Sequence, residues 1–192
     1  MRLFVGIELE PPLQDAVGAV IAALRRDLEE RAPDIRIRWL PPANLHLTLA
    51  FIGEVQDAFL EPIRAALAQG FSVPAFDLAF GSAGTFPAAG PLRVVWIGVA
   101  QGEAALRQLH DEIVGRLGRL GLRFEERAYS PHLTVGRVRE GRGPAARRVR
   151  EVAREGAAAL GPQHVAAVTL FRSRLSPAGS TYDVVMRVPL QG

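Results

Sequence analysis

Leu3 to Leu9 is a nearly unbroken apolar run, long enough for one buried strand and too short for a helix. After Pro11-Pro12, the residues Leu13, Val17, Ile21, Leu24 and Leu28 recur at helical spacing and make one apolar stripe, which Pro33 closes. Arg36 to Leu40 reads as a short strand. Beyond the Pro41-Pro42 break, Leu45 to Ile52 reads as a longer one, stopped by Gly53. A helix from about Asp57 to Gln69 carries Leu60, Ile63 and Leu67, with Pro62 in its first turn or kinking it, and a further strand is predicted between Phe76 and Phe86.

The same order then returns. Leu92 to Val99 predicts a strand, Leu106, Leu109, Ile113 and Leu117 a helix, Leu122 to Glu125 a short strand, and Pro131 to Val138 a long one. A polar helix from about Pro144 to Glu155 and the strands His164 to Arg172 and Tyr182 to Val188 complete the chain. Gly6 and Gly98, on the opening strands, are 92 residues apart, and a His-Leu-Thr tripeptide occurs twice, 86 residues apart. We read one domain over residues 1–192, an α+β pair of lobes arising by duplication, with pseudo-repeats of roughly 1–90 and 91–192. The Gly141-Arg142-Gly143-Pro144 segment reads either as a mobile loop beside a ligand or as an ordinary helix-entry turn.

Composition narrows the classes. With 48% hydrophobic and 22% charged residues the chain is of ordinary globular make-up, and 192 residues are enough to bury a substantial core. There is no cysteine, which excludes a disulfide framework, a thiolate nucleophile and Cys-based metal centres. No uncharged run approaches the roughly 20 residues that span a bilayer, and the first residues turn acidic too soon for a secretory signal, so a cytoplasmic address is expected. Net charge is +3, yet the pI is 10.4, because all 23 basic residues are arginine. Arginine suits phosphate contacts, but an arginine-only set also reflects base composition, and no compact basic run is present.

The repeated tripeptide carries the chemistry. Along Leu45 to Phe51 alternation puts Leu45, Leu47, Leu49 and Phe51 on one face and His46 and Thr48 on the other. In the second copy Leu133 and Val135 face inward and His132 and Thr134 outward. With four histidines and five threonines in the chain, a threonine two places after a given histidine arises by chance roughly once in forty, so two matched copies point to function. Two imidazoles and two hydroxyls around one cleft suit attack on a phosphodiester. One imidazole takes a proton from water, the other gives one to the leaving oxygen, and the hydroxyls hold the phosphate oxygens. His110 and His164 fall into no metal-ligand spacing and read as surface or structural residues; no metal and no cofactor is expected.

The stretches Trp39 to Gly53 (WLPPANLHLTLAFIG) and Tyr129 to Arg137 (YSPHLTVGR) resemble the two signatures of the two-histidine (2H) phosphoesterases, and within them the RNA 2′,3′-cyclic phosphodiesterases, also called 2′-5′ RNA ligases. Arg2 to Ile7, Ser173 to Leu175 and Tyr182 fit the same pattern. The resemblance implies a bilobal α+β fold with two antiparallel sheets, flanked by helices, around a central groove. It also implies hydrolysis of a terminal 2′,3′-cyclic phosphate to a 2′-phosphate, with His46 as proton donor, His132 as proton acceptor, and Thr48 and Thr134 on the phosphate. Arg137 matches a phosphate-contacting arginine; alternation sets it opposite His132, so that role requires a bulge or a strand end. Tyr129 and Trp39 are candidates for base stacking or for the core, and Arg36, Arg38, Arg123 and Arg127 for the groove or a solvated rim. The expected partners are RNA ends or cyclic nucleotide phosphates, and the expected state is a monomer. Other readings are cleavage of 2′-5′ oligonucleotides, reversible 2′-5′ ligation, and RNA-end binding without catalysis.

Overall fold

The structure, a computed structural model, describes residues 1–125, 128–156, 159–176 and 179–192. The first strand, β1 (Arg2–Glu8), leads into α1 (Pro11–Arg31), whose predicted stripe Leu13, Val17, Ile21, Leu24 and Leu28 is buried. Two prolines open that helix, where their missing N–H groups have no intrahelical partner to lose. The chain continues through β2 (Arg36–Trp39) and β3 (His46–Glu54). A 3-10 turn at Asp57–Phe59 then precedes α2 (Leu60–Leu67), so Pro62 sits in the first turn, where it is tolerated. Next come β4 (Phe76–Phe86), β5 (Val94–Gln101), α3 (Glu103–Gly118), β6 (His132–Glu140) and α4 (Gly143–Glu155). The last elements are β7 (Leu160–Val165), β8 (Ala167–Ser176) and β9 (Gly179–Pro189).

The strands pair antiparallel in the order β7-β4-β5-β6-β3-β1-β8-β9, with β2 on β6. The two expected sheets are therefore continuous. Their join is narrow, a single pair between Leu47 on β3 and Leu133 on β6. Both leucines are fully buried, so the join is anchored in the core, while the strands part on either side of it. Helices α1 and α4 pack against β7 and β4, and α3 packs against β3 with α2 beside it.

The halves of the chain do not coincide with the halves of the sheet. Strand β4, from the first half, pairs with β5 and β7, whereas β8, from the second half, pairs with β1. This exchange explains why the strand expected over His164 to Arg172 is two strands. The ladder breaks at Ala166, β7 staying on β4 and β8 crossing to β1 at the far side of the sheet. The strand expected at Leu122 to Glu125 is absent; these residues have no sheet pairing. The Gly141 segment is the helix-entry turn. Gly141 is buried, its carbonyl accepts the Leu92 amide at 2.8 Å, and Pro144 lies in the first turn of α4.

Candidate active site

The Leu47–Leu133 pair determines what faces what. Because it is antiparallel, continuing its register sets His46 towards Thr134 and Thr48 towards His132, all on the face opposite the buried leucines. Each histidine thus lies across from the other motif's threonine. Both strands begin at their histidine, and in each a backbone carbonyl two residues earlier holds the ring. His46 Nδ1 lies 2.9 Å from the Asn44 carbonyl and His132 Nδ1 lies 2.7 Å from the Ser130 carbonyl. A carbonyl only accepts, so Nδ1 carries hydrogen in both rings and Nε2 is the nitrogen that titrates.

Aromatic side chains enclose both rings. His46 packs against Phe4 at 4.6 Å, Tyr182 at 4.8 Å and Phe171 at 5.9 Å between centroids, and His132 against Phe86 at 5.0 Å and Trp96 at 6.5 Å. Phe4 and Trp96 are 92 residues apart, the same offset as Gly6 and Gly98, so the two walls correspond. Beside His46 a cavity of about 110 Å³, lined in part by Glu8, Asn44 and Tyr182, leaves room for a few waters. Burial is the main cause that lowers the His46 pKa, to about 4, and it also lowers that of His132. The Arg137 charge acts on both rings in the same direction, against the opposing effect of the two carbonyls. Both imidazoles are therefore neutral in the free site at pH 7.

That influence of Arg137 on both rings has a structural cause. Between Trp96 and Val95 on β5 the partner on β6 jumps from Thr134 to Gly136, so Val135 is the extra residue of a bulge. The bulge reverses the alternation beyond it, and Arg137, which a regular strand would send to the core face, comes out on the cleft side and is exposed. Strand β3 bulges at the matching place. Against β1 its partner jumps from Thr48 to Ala50, leaving Leu49 over, and Phe51 emerges 49% exposed with the Arg2 guanidinium 4.8 Å above its ring. Phe51 was expected on the core face with Leu49; the bulge removes it. Phe51 and Arg137 occupy corresponding positions, five residues past each histidine. The sequence contained no sign of Phe51 as a cleft residue beyond that shared spacing.

Tyr129 is engaged within the protein. Its hydroxyl donates to the Thr48 carbonyl at 2.8 Å, and one face of its ring is stacked on His110, 4.2 Å away and 4° from parallel. That packing covers one face of the ring. Trp39 lies over Gly136, where an added Cβ would come within 3.1 Å of its ring, and packs against the core. Arg36, Arg38 and Arg123 are exposed, with Arg38 paired to Arg137 in the ladder; Arg127 lies outside the described residues. His164 pairs with Asp77 at the surface. Among the described residues no three His, Asp or Glu side chains gather in a way that could hold a metal ion, and no helix is long and apolar enough to cross a membrane.

Residues 11–175 match the family model described as the 2′-5′ RNA ligase superfamily. This chain belongs to that superfamily. Among curated proteins, the RNA 2′,3′-cyclic phosphodiesterase of Archaeoglobus fulgidus is 34% identical over 182 residues, covering 95% of this chain and 96% of that protein. The protein of the same name from Methanothermobacter thermautotrophicus is 33% identical, with 95% of each chain covered. Among solved structures, Escherichia coli LigT complexed with 3′-AMP superposes with a TM-score of 0.74 at 25% identity, covering 100% of this chain and 98% of that one. The matched span contains His46, Thr48, His132 and Thr134.

Proposed function

We propose that this superfamily member hydrolyses the 2′,3′-cyclic phosphodiester at an RNA end, the activity its curated relatives are named for, and that it leaves a 2′-phosphomonoester. His132 Nε2 takes the proton from the attacking water. As the bond from phosphorus to the 3′ oxygen breaks, His46 Nε2–H gives that oxygen a proton. Thr48 and Thr134 donate to the non-bridging oxygens, and Arg137 offsets their growing charge. The observation that supports this reading best is the Leu47–Leu133 pair, which turns both imidazoles and both hydroxyls to one face.

The low His46 pKa sets a condition on the scheme. The acid must acquire its proton with the substrate, and a phosphodiester anion beside Arg137 works in that direction by opposing the arginine's charge. The scheme uses no metal. The test is incubation with an RNA oligonucleotide ending in a 2′,3′-cyclic phosphate, in EDTA, with 2′- and 3′-phosphate products separated; a 2′-5′ linked dinucleotide serves as the competing substrate. The expected product is the 2′-phosphate, with rates lower by about 10³-fold in His46→Ala and His132→Ala. Loss of turnover on chelation, or near-normal turnover in either variant, would refute the scheme.

A further inference from the structure

The two tripeptide strands are supported differently just past their threonines. On β6 the carbonyl of Val135, the bulge residue, accepts the Leu40 amide at 2.9 Å, in line with the ladder between β2 and β6. A neighbouring strand therefore holds the second motif. The equivalent residue on β3, 86 positions earlier, is Leu49, and among the described residues no strand pairs there, Leu122 to Glu125 having no sheet pairing. Side chains supply the donors instead. His110 Nδ1 lies 2.7 Å from the Leu49 carbonyl, and the Tyr129 hydroxyl donates to the preceding carbonyl, that of Thr48, at 2.8 Å.

The two donors are themselves fixed. Their rings are stacked at 4.2 Å, and Arg107, one helical turn before His110 on α3, donates to the Tyr129 carbonyl at 2.6 Å while paired with Glu103. Burial pushes the Tyr129 phenol pKa up, so its hydroxyl keeps its proton across the working range. His110 donates from Nδ1 whether neutral or charged, since its partner is a carbonyl. The segment that bears Tyr129 also provides the Ser130 carbonyl that orients His132. One short stretch thus holds the Thr48 backbone on one strand and the His132 ring on the other.

We propose that Tyr129 and His110 are positioning residues: stacked on one another, they hold the Thr48 and Leu49 carbonyls at the β3 bulge and so aim the Thr48 hydroxyl at the phosphate. They replace with side chains the strand that supports β6. This rests on the reading of Thr48 as a phosphate donor, and the experiment separates the two. Tyr129→Phe removes the donor and keeps the ring; kcat should fall about tenfold with KM within about twofold. His110→Leu should do the same. His110→Asn, which keeps an N–H near the Nδ1 position but loses the stack, should recover part of the rate lost in His110→Leu. In a Thr48→Val background, Tyr129→Phe should have little further effect, because the group it aims is gone.

Circular dichroism and thermal melting identify the folded variants, and only those are compared. Wild-type kcat from Tyr129→Phe, or an undiminished tenfold effect in the Thr48→Val background, would overturn the positioning role. If Thr48→Val itself turns over like the wild type, the reading of Thr48 fails instead.

Discussion

Lowering the pH from 7 to 4 should remove stability from the native protein that a His46→Gln variant does not lose. His46 titrates near its ordinary value of 6.5 in the unfolded chain and at about 4 in the folded one. Between those values the unfolded state binds a proton that the folded state refuses, so stability is present above pH 6.5 and drains away as the pH falls towards 4. With about 1.4 kcal/mol for each pH unit across the window, the loss comes to about 2 kcal/mol by pH 5 and about 3 kcal/mol by pH 4. For a chain of this size that is a relative fall in Tm of roughly 6 to 12 °C. The cause is local. Phe4, Phe171 and Tyr182 crowd the ring and Arg137 adds its charge, while the Asn44 carbonyl offsets only part of this. Urea denaturation of wild type and His46→Gln at pH 7, 6, 5 and 4 measures the difference. The carboxylates titrate in both proteins and cancel in the comparison. Parallel stability curves for the two proteins, or a steeper loss in the variant, would refute the reasoning.

Two further predictions concern the rest of the site. Replacing Arg137 with Gln should raise both imidazole pKa values, because its charge lowers both; the kcat/KM profile of the wild type should peak below pH 6.5, and that of the variant should move to higher pH with a lower maximum. An unmoved profile would mean that the arginine does not act on the histidines. Gly6→Ala puts a Cβ 2.6 Å from the Leu47 carbonyl, which is backbone and has little room to shift. We expect β1 and β3 to be pushed apart, with a lower Tm and a loss of turnover larger than the loss of substrate binding, measured by melting and by steady-state kinetics.

Much of this protein was legible from spacing alone. The stripe of α1, the buried parity of Leu47 and Leu133 and the outward parity of both His-Leu-Thr copies follow from 3.6- and 2-residue periods, which are local and need no partner. So does the pairing of the motifs as a suspicion, because a repeated offset is a property of the string. The bulges were not legible in the same way. A bulge is a mismatch between two strands, so the reversal that turns Phe51 out of the core, and the one that the Arg137 reading required, cannot be seen in either strand by itself. The break at Ala166 depends on which distant strand each side of it pairs with, and the missing strand at Leu122 to Glu125 on what already occupies the Leu49 carbonyl.

Tertiary structure also decided the chemistry of residues already picked out. Tyr129 has the makings of a stacking platform in sequence, and only its contact with His110 and the Thr48 carbonyl makes it a brace. The histidines were given by their motif; their low pKa values were not. Desolvation sums the effect of aromatic groups from β1, β4, β5, β8 and β9, brought together by folds of the chain that no window of sequence contains. Local periodicity determined which side chains leave the core together, and the one-pair join at Leu47 and Leu133 decided that the two sets meet.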